Sequence, residues 1–121
     1  MKKDNKNIGN YGEDLVSNFL KNNNHKILHR NFRKSNGEID IISIFNNILI
    51  FTEVKTRLSK EYGLPFESVT KSKQKNIKKL ASYYIYFYKF KNYYVRFDVA
   101  EVYLNNLDNS YKINIIEDAF R

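Results

Sequence analysis

The stretch GEIDIISIFNNILIFTEVK, residues 37–55, decides how this chain folds. Residues 38–45 read as one strand, Asn46-Asn47 as a turn, and residues 48–55 as the next strand. Ile48-Leu49-Ile50-Phe51-Thr52 is apolar on both faces, the pattern of a central strand covered on two sides. Strand side chains alternate between faces, so Glu53 and Lys55 project together. Asp40 lies on the preceding strand, and a hairpin brings Asp40, Glu53 and Lys55 to one place. Two carboxylates and an amine on an otherwise apolar sheet cost free energy to bury unless something there uses them.

Upstream of this hairpin, Ser35-Asn36-Gly37 is a turn and Asn-Gly a strong two-residue hairpin signal. Residues 26–33 read as the strand before it. Ile8, Tyr11, Leu15, Val16, Phe19 and Leu20 repeat at helical spacing, predicting a helix over residues 8–22 with one buried stripe. Asn22-Asn23-Asn24 closes it, since asparagine tolerates the left-handed conformation that ends helices. Downstream, residues 57–68 form an irregular loop holding Gly63 and the single proline, Pro65. A second helix starts at Ser68 or Thr70, both competent N-caps, with a stripe of Ile77, Leu80, Ala81, Tyr84 and Ile85. Its end, residues 83–88, is tyrosine-rich and of high β-propensity, which competes with the helical reading. Strands follow over residues 93–103 and 111–116. The expected class is α/β (α+β): a mixed five-stranded sheet flanked by helices in the order α-β-β-β-α-β-β. The first three strands form a meander, and the second helix crosses over to a parallel neighbour.

At 121 residues, 42% hydrophobic and 16% aromatic, the chain suits one folded domain over residues 8–121 behind a polar, flexible stretch at residues 1–7. It has no cysteine, which excludes thiolate metal sites and a cysteine nucleophile. With only His25 and His29, neither with a partner legible in the sequence, carboxylates are the remaining metal ligands. They favour hard cations such as Mg²⁺ or Mn²⁺. The net charge of +8 points to a polyanionic partner, although free use of lysine and asparagine throughout accounts for part of it. The opening Met-Lys-Lys-Asp-Asn-Lys-Asn has no apolar core of a signal peptide, and no apolar run approaches membrane-spanning length. A cytoplasmic protein without a membrane partner is expected.

Phosphodiester hydrolysis needs a nucleophilic water, relief of charge at the phosphoryl oxygens and help for the leaving oxygen. Asp40 and Glu53, with the main-chain carbonyl of Val54, are the candidate metal ligands. Lys55 is the candidate to orient or deprotonate water or to neutralise the phosphoryl group, because a lysine beside a cation and partly desolvated has a lowered pKa. The competing reading is a solvated Glu53–Lys55 pair with Asp40 as a surface acid. A Glu-x-Lys triplet alone is a weak signal; its position at the end of the most hydrophobic strand strengthens it.

Gly37-Glu38-Ile39-Asp40-Ile41-Ile42 followed by Phe51-Thr52-Glu53-Val54-Lys55-Thr56-Arg57 resembles the PD-(D/E)XK nuclease signature. More narrowly, the chain resembles the uncharacterised bacterial YraN-like proteins, related to archaeal Holliday-junction resolvases. The likeness extends to Gly9-x-x-Gly12-Glu13, Gly63-x-Pro65, Arg96-Phe97-Asp98-Val99 and Ala119-Phe120. The resemblance implies a restriction-endonuclease-like core with Asp40, Glu53 and Lys55 handling metal and water. It implies Glu13 as the helix-borne acid that completes such sites. Ile39 stands where the superfamily name has proline. The implied activity is Mg²⁺- or Mn²⁺-dependent cleavage of DNA, branched DNA included. Resolving a junction takes two sites acting together, which makes a homodimer a candidate assembly. A catalytically inactive nucleic-acid-binding module and a protein-interaction adaptor are the alternatives.

Glu13 also fits a surface acid favoured near a helix N-terminus. Glu38 fits a turn acid or a partner for a nearby arginine. Lys71, Lys73, Gln74, Lys75, Lys78 and Lys79 open the second helix; such a run is usually a solvated face, with phosphate contact as the functional alternative. Arg30, Arg33 and Arg57 are similar phosphate candidates, Arg57 the best placed. The tyrosine-rich run reads as core or a dimer face, with stacking on exposed bases as the alternative. Arg96 and Asp98 share a strand face and suit a structural ion pair.

Overall fold

Seven elements alternate in the expected order. The computed structural model describes residues 5–35, 37–58, 69–105 and 107–121. Helix α1 is Asn5–Asn22, β1 Lys26–Lys34, β2 Gly37–Phe45, β3 Ile48–Leu58, α2 Lys71–Tyr88, β4 Tyr94–Leu104 and β5 Tyr111–Phe120. The strands lie in one sheet in chain order, β1-β2-β3-β4-β5. β1/β2, β2/β3 and β4/β5 are antiparallel, while β3/β4 is parallel, with α2 on the connection between them. Gly63-x-Pro65 and Asn36 fall outside the described residues.

β3 is the middle strand, as its doubly apolar sequence requires. Leu49, Ile50 and Phe51 are buried, and each side of the sheet carries its own core. One core joins Leu49, Phe51, Ile39 and Val99 to the α2 stripe of Ile77, Leu80, Ala81 and Tyr84. The other joins Val16 and Leu20 of α1 to Ile41, Ala100, Val102 and Leu104. Burying four α2 side chains outweighs the β-propensity of the tyrosine run, and Tyr84 packs among the rings of Phe32, Phe51 and Phe90.

Several ends differ from the sequence reading. α1 begins at Asn5 rather than residue 8, and Tyr11 and Phe19 sit at the margin of its buried stripe, 41% and 39% exposed. Asn24 adopts the left-handed conformation that closes α1 (φ 71°), and the His25 N–H returns to the Leu20 carbonyl at 2.9 Å. Gly37 is the first residue of β2 and pairs with Lys34; the positive φ of the described turn residues belongs to Ser35. Thr70 caps α2 by accepting from the Lys73 N–H at 3.1 Å. β3 runs three residues past Lys55, and β5 continues to Phe120 through an irregularity where Asp118 takes φ 54°. No helix among the described residues is long and apolar enough to cross a membrane.

Candidate active site

The site forms where two strands part. β2 and β3 pair from Phe45↔Ile48 to Ile41↔Thr52, and there their register ends. β3 continues beside β4 as far as Leu58↔Leu104. Past the last β2 pair, the Val54 N–H is taken by a side chain, Asp40 Oδ2, at 2.8 Å. A strand residue turns its N–H and C=O toward the same neighbour, so the Val54 carbonyl faces this opening too. Asn31 of β1, opposite Asp40, has a left-handed backbone (φ 53°).

Asp40 and Glu53 are 7% and 5% exposed. Burial, followed by the charge of Glu53, pushes the Asp40 carboxyl up to about 8; the Val54 N–H opposes the rise and Glu13 adds to it. Glu53 stands between two ammonium groups. Lys55 Nζ is 4.0 Å from Glu53 Oε2, and Lys73 Nζ, from the first turn of α2, bonds the same oxygen directly. Burial works against the Lys73 charge, but the bond and charge of Glu53, with Asp40 behind it, raise its pKa. Asp40, Glu53, Lys73 and Asn76 line a cavity of about 120 Å³.

α1 delivers Glu13 to this place because of its neighbour, Gly12. A Cβ on Gly12 would stand 1.9 Å from Thr56 Oγ1, so only glycine lets the helix lie this close to β3. The Glu13 side chain is 12% exposed and lies 3.8 Å from Arg30. Burial raises its pKa against the hydrogen bond from Asn31 and the Arg30 charge, and its Oε1 is buried with no hydrogen-bond partner. Arg30 itself is committed to Asp14 at 2.8 Å.

The phosphate candidates separate. Lys73 joins the acids. Gln74 donates its amide to the Val69 carbonyl at 2.9 Å, a contact that ties down the entrance to α2. Lys71 and Lys75 are exposed, and Arg57 is half-buried on β3 beyond Lys55. Arg33 bonds Glu38 across the β1–β2 pair, the arginine partner expected for that acid. Arg96 and Asp98 form the expected ion pair, bidentate with both contacts at 2.9 Å. The histidines do have partners: His25 meets the Ser43 hydroxyl at 3.1 Å, and His29 the Tyr84 hydroxyl at 2.7 Å. Long-range contacts of this kind leave no trace in local sequence.

Glu101 is a buried acid that the sequence reading misses. It is 4% exposed, pairs in register with Lys55 across the parallel ladder, and takes a 2.9 Å bond from Asn114 on Oε1, while Oε2 has no hydrogen-bond partner. A glutamate inside the apolar run of β4 was the available signal, but its adjacency to Lys55 depends on the parallel register.

A hard divalent cation fits the donor set. Asp40, Glu53 and the Val54 carbonyl offer oxygen only, and the Asp40 carboxyl, its pKa raised by burial and by the Glu53 charge, has no ammonium of its own among the described residues, whereas Glu53 has Lys73 and Lys55 beside it. Among the described residues, no group of three or more histidine, aspartate or glutamate side chains forms a metal cage. A cation here would leave positions to water and phosphate, as Mg²⁺ commonly does.

Comparison with known proteins places the chain in a family. The family described as "Uncharacterised protein family UPF0102" matches residues 12–102, which include Glu13, Asp40, Glu53, Lys55, Lys73 and Glu101. A UPF0102 protein of Clostridium botulinum is 60% identical over 121 residues, covering all of this chain and 99% of its own. One from Clostridium perfringens is 52% identical over the same span, again covering 99% of its own length. One from Caldicellulosiruptor saccharolyticus is 46% identical over 113 residues, covering 93% of this chain and 96% of its own. The chain belongs to the UPF0102 family.

Proposed function

We propose that this member of the UPF0102 family is a Mg²⁺- or Mn²⁺-dependent endonuclease that hydrolyses DNA phosphodiesters, branched DNA included. The observation that carries the reading is the buried Asp40–Glu53 pair at the point where β2 leaves β3, flanked by Lys55 and Lys73. Asp40, Glu53 and the Val54 carbonyl would hold the cation. When bound, the cation supplies a water of lowered pKa and neutralises developing phosphoryl charge. Lys55 positions the attacking water or offsets charge on the phosphate. Glu13 Oε1, which has the Arg30 charge at 3.8 Å but takes no hydrogen bond, is an acceptor for a water or a hydrated ion at the rim of the same site.

Purified protein incubated with linear and four-way DNA and Mn²⁺ should nick at least one of them, and Glu53→Ala and Lys55→Ala should each abolish nicking. Cleavage that survives both substitutions would sink the proposal. The Lys73–Glu53 bond favours a second reading, because an internal lysine already satisfies the carboxylate without a metal. In that reading the chain is a non-catalytic DNA-binding module. Steeply salt-dependent binding without Mn²⁺-dependent turnover would identify it.

A further inference from the structure

The acid cavity has a continuation. Gly37 and Asn76 line both it and a neighbouring cavity of about 350 Å³, whose other walls include Lys34, Lys79 and Tyr83. A Cβ on Gly37 would approach Leu80 to 3.4 Å and the Asn76 carbonyl to 3.6 Å, so a side chain there would narrow the passage between β2 and α2. From Lys73 to Tyr83 the groove follows α2 for about 15 Å, a length that suits a continuous strand better than a single nucleotide.

The lining has two kinds of group. Lys34 and Lys79 are exposed cations, and α2 has five lysines and no acidic residue. Tyr83, in the groove wall, is 38% exposed, and Phe87, one turn further along α2 and outside that wall, is 56% exposed, although both lie on a helix whose other face is core. Their rings are stacked, with centroids 5.7 Å apart and planes 12° from parallel. Lys34 Nζ stands 5.2 Å over the Tyr83 ring. Exposed aromatics interleaved with lysines suit a ligand that has flat apolar faces joined by anionic links. A second copy of this chain would bring the same lysines against one another, so charge complementarity favours a polyanion.

We propose that this groove binds an unpaired strand of DNA, with one base on the Tyr83–Phe87 stack and adjoining phosphates at Lys34 and Lys79, and that it leads the strand to Asp40 and Glu53. A base-paired nucleotide keeps its faces inside the duplex stack, so the aromatic platform selects single-stranded arms, flaps or splayed junctions. The inference rests on the reading of the acid pair as the cutting site for its final step only.

The test is fluorescence anisotropy of the full chain on a short labelled single strand and on a duplex of the same sequence, with chelator present so that cleavage plays no part. Tyr83→Ala should weaken single-strand binding by about tenfold and duplex binding far less, while Tyr83→Phe keeps the affinity. The pair Lys34→Ala and Lys79→Ala should reduce the slope of log K against log salt by about 1.4. Unchanged single-strand affinity in Tyr83→Ala, or an equal loss on duplex, overturns the proposal. So does a Tyr83→Ala protein that loses self-association in sedimentation yet binds the strand as before. If no DNA is ever cut but these binding losses appear, the groove stands and the nuclease reading fails. Cleavage together with unchanged binding has the opposite meaning.

Discussion

Asp40 keeps a proton that an ordinary aspartate, with a pKa of 3.8, gives up in mildly acidic solution. Between about pH 4 and pH 8 the folded chain holds that proton while the unfolded chain releases it, so this group's contribution to stability falls as pH rises through the window. Asp40→Asn keeps the shape without the charge. In melts across the window its advantage over the parent should grow with pH and reach on the order of a few kcal/mol at pH 8. An advantage independent of pH would show that Asp40 is already ionised. Gly12 offers a steric test. Gly12→Ala should cost about 1–3 kcal/mol in denaturant melts, and Thr56→Ala in the same chain should recover part of the loss, because it removes the nearest obstructing atom. At this scale the spacing, with a hairpin and strand alternation, brings Asp40, Glu53 and Lys55 to one region, but it leaves a solvated Glu53–Lys55 pair as an alternative, and the burial of Asp40 and Glu53 is legible only in the structure. Lys73 on Glu53 and Glu101 beside Lys55 are not legible in the sequence either, because a crossover and a parallel register bring them there.

Among the elements, β3 is legible from Ile48 to Lys55 because apolar residues on both faces mark a central strand. Its far end is not, because Thr56-Arg57-Leu58 is held by pairing with β4 rather than by its own pattern. α2 shows the converse. The Ile77, Leu80, Ala81 and Tyr84 stripe identifies the helix, while the exposed Tyr83, Tyr86 and Phe87 carry β-propensity that packing overrides. The Thr70 cap also positions Lys73, whose N–H it holds. Thr70→Ala should cost about 1 kcal/mol in denaturant melts. If Lys73 competes with a cation for Glu53, loosening the first turn should also tighten Mn²⁺ binding by calorimetry. Equal Mn²⁺ affinity in the parent and the variant would separate the cap from the site.

For the whole molecule, a cation that binds only the folded chain stabilises it by mass action. Mn²⁺ at about a hundred times its Kd should add about 2.7 kcal/mol and raise Tm by several degrees in the parent. Glu53→Ala should lose the rise, and a parent that shows none has no such site. The crossover through α2 also arranges folding in time. The β2–β3 hairpin closes a two-residue turn, Asn46-Asn47, whereas the β3–β4 ladder closes the much longer connection that carries α2. Ile42→Val should therefore slow refolding, while Val99→Ala should mainly speed unfolding, and stopped-flow chevrons distinguish the two. With that order of events Asp40 and Glu53 would meet while water still covers them, and their burial would wait for the step in which α2 brings Lys73.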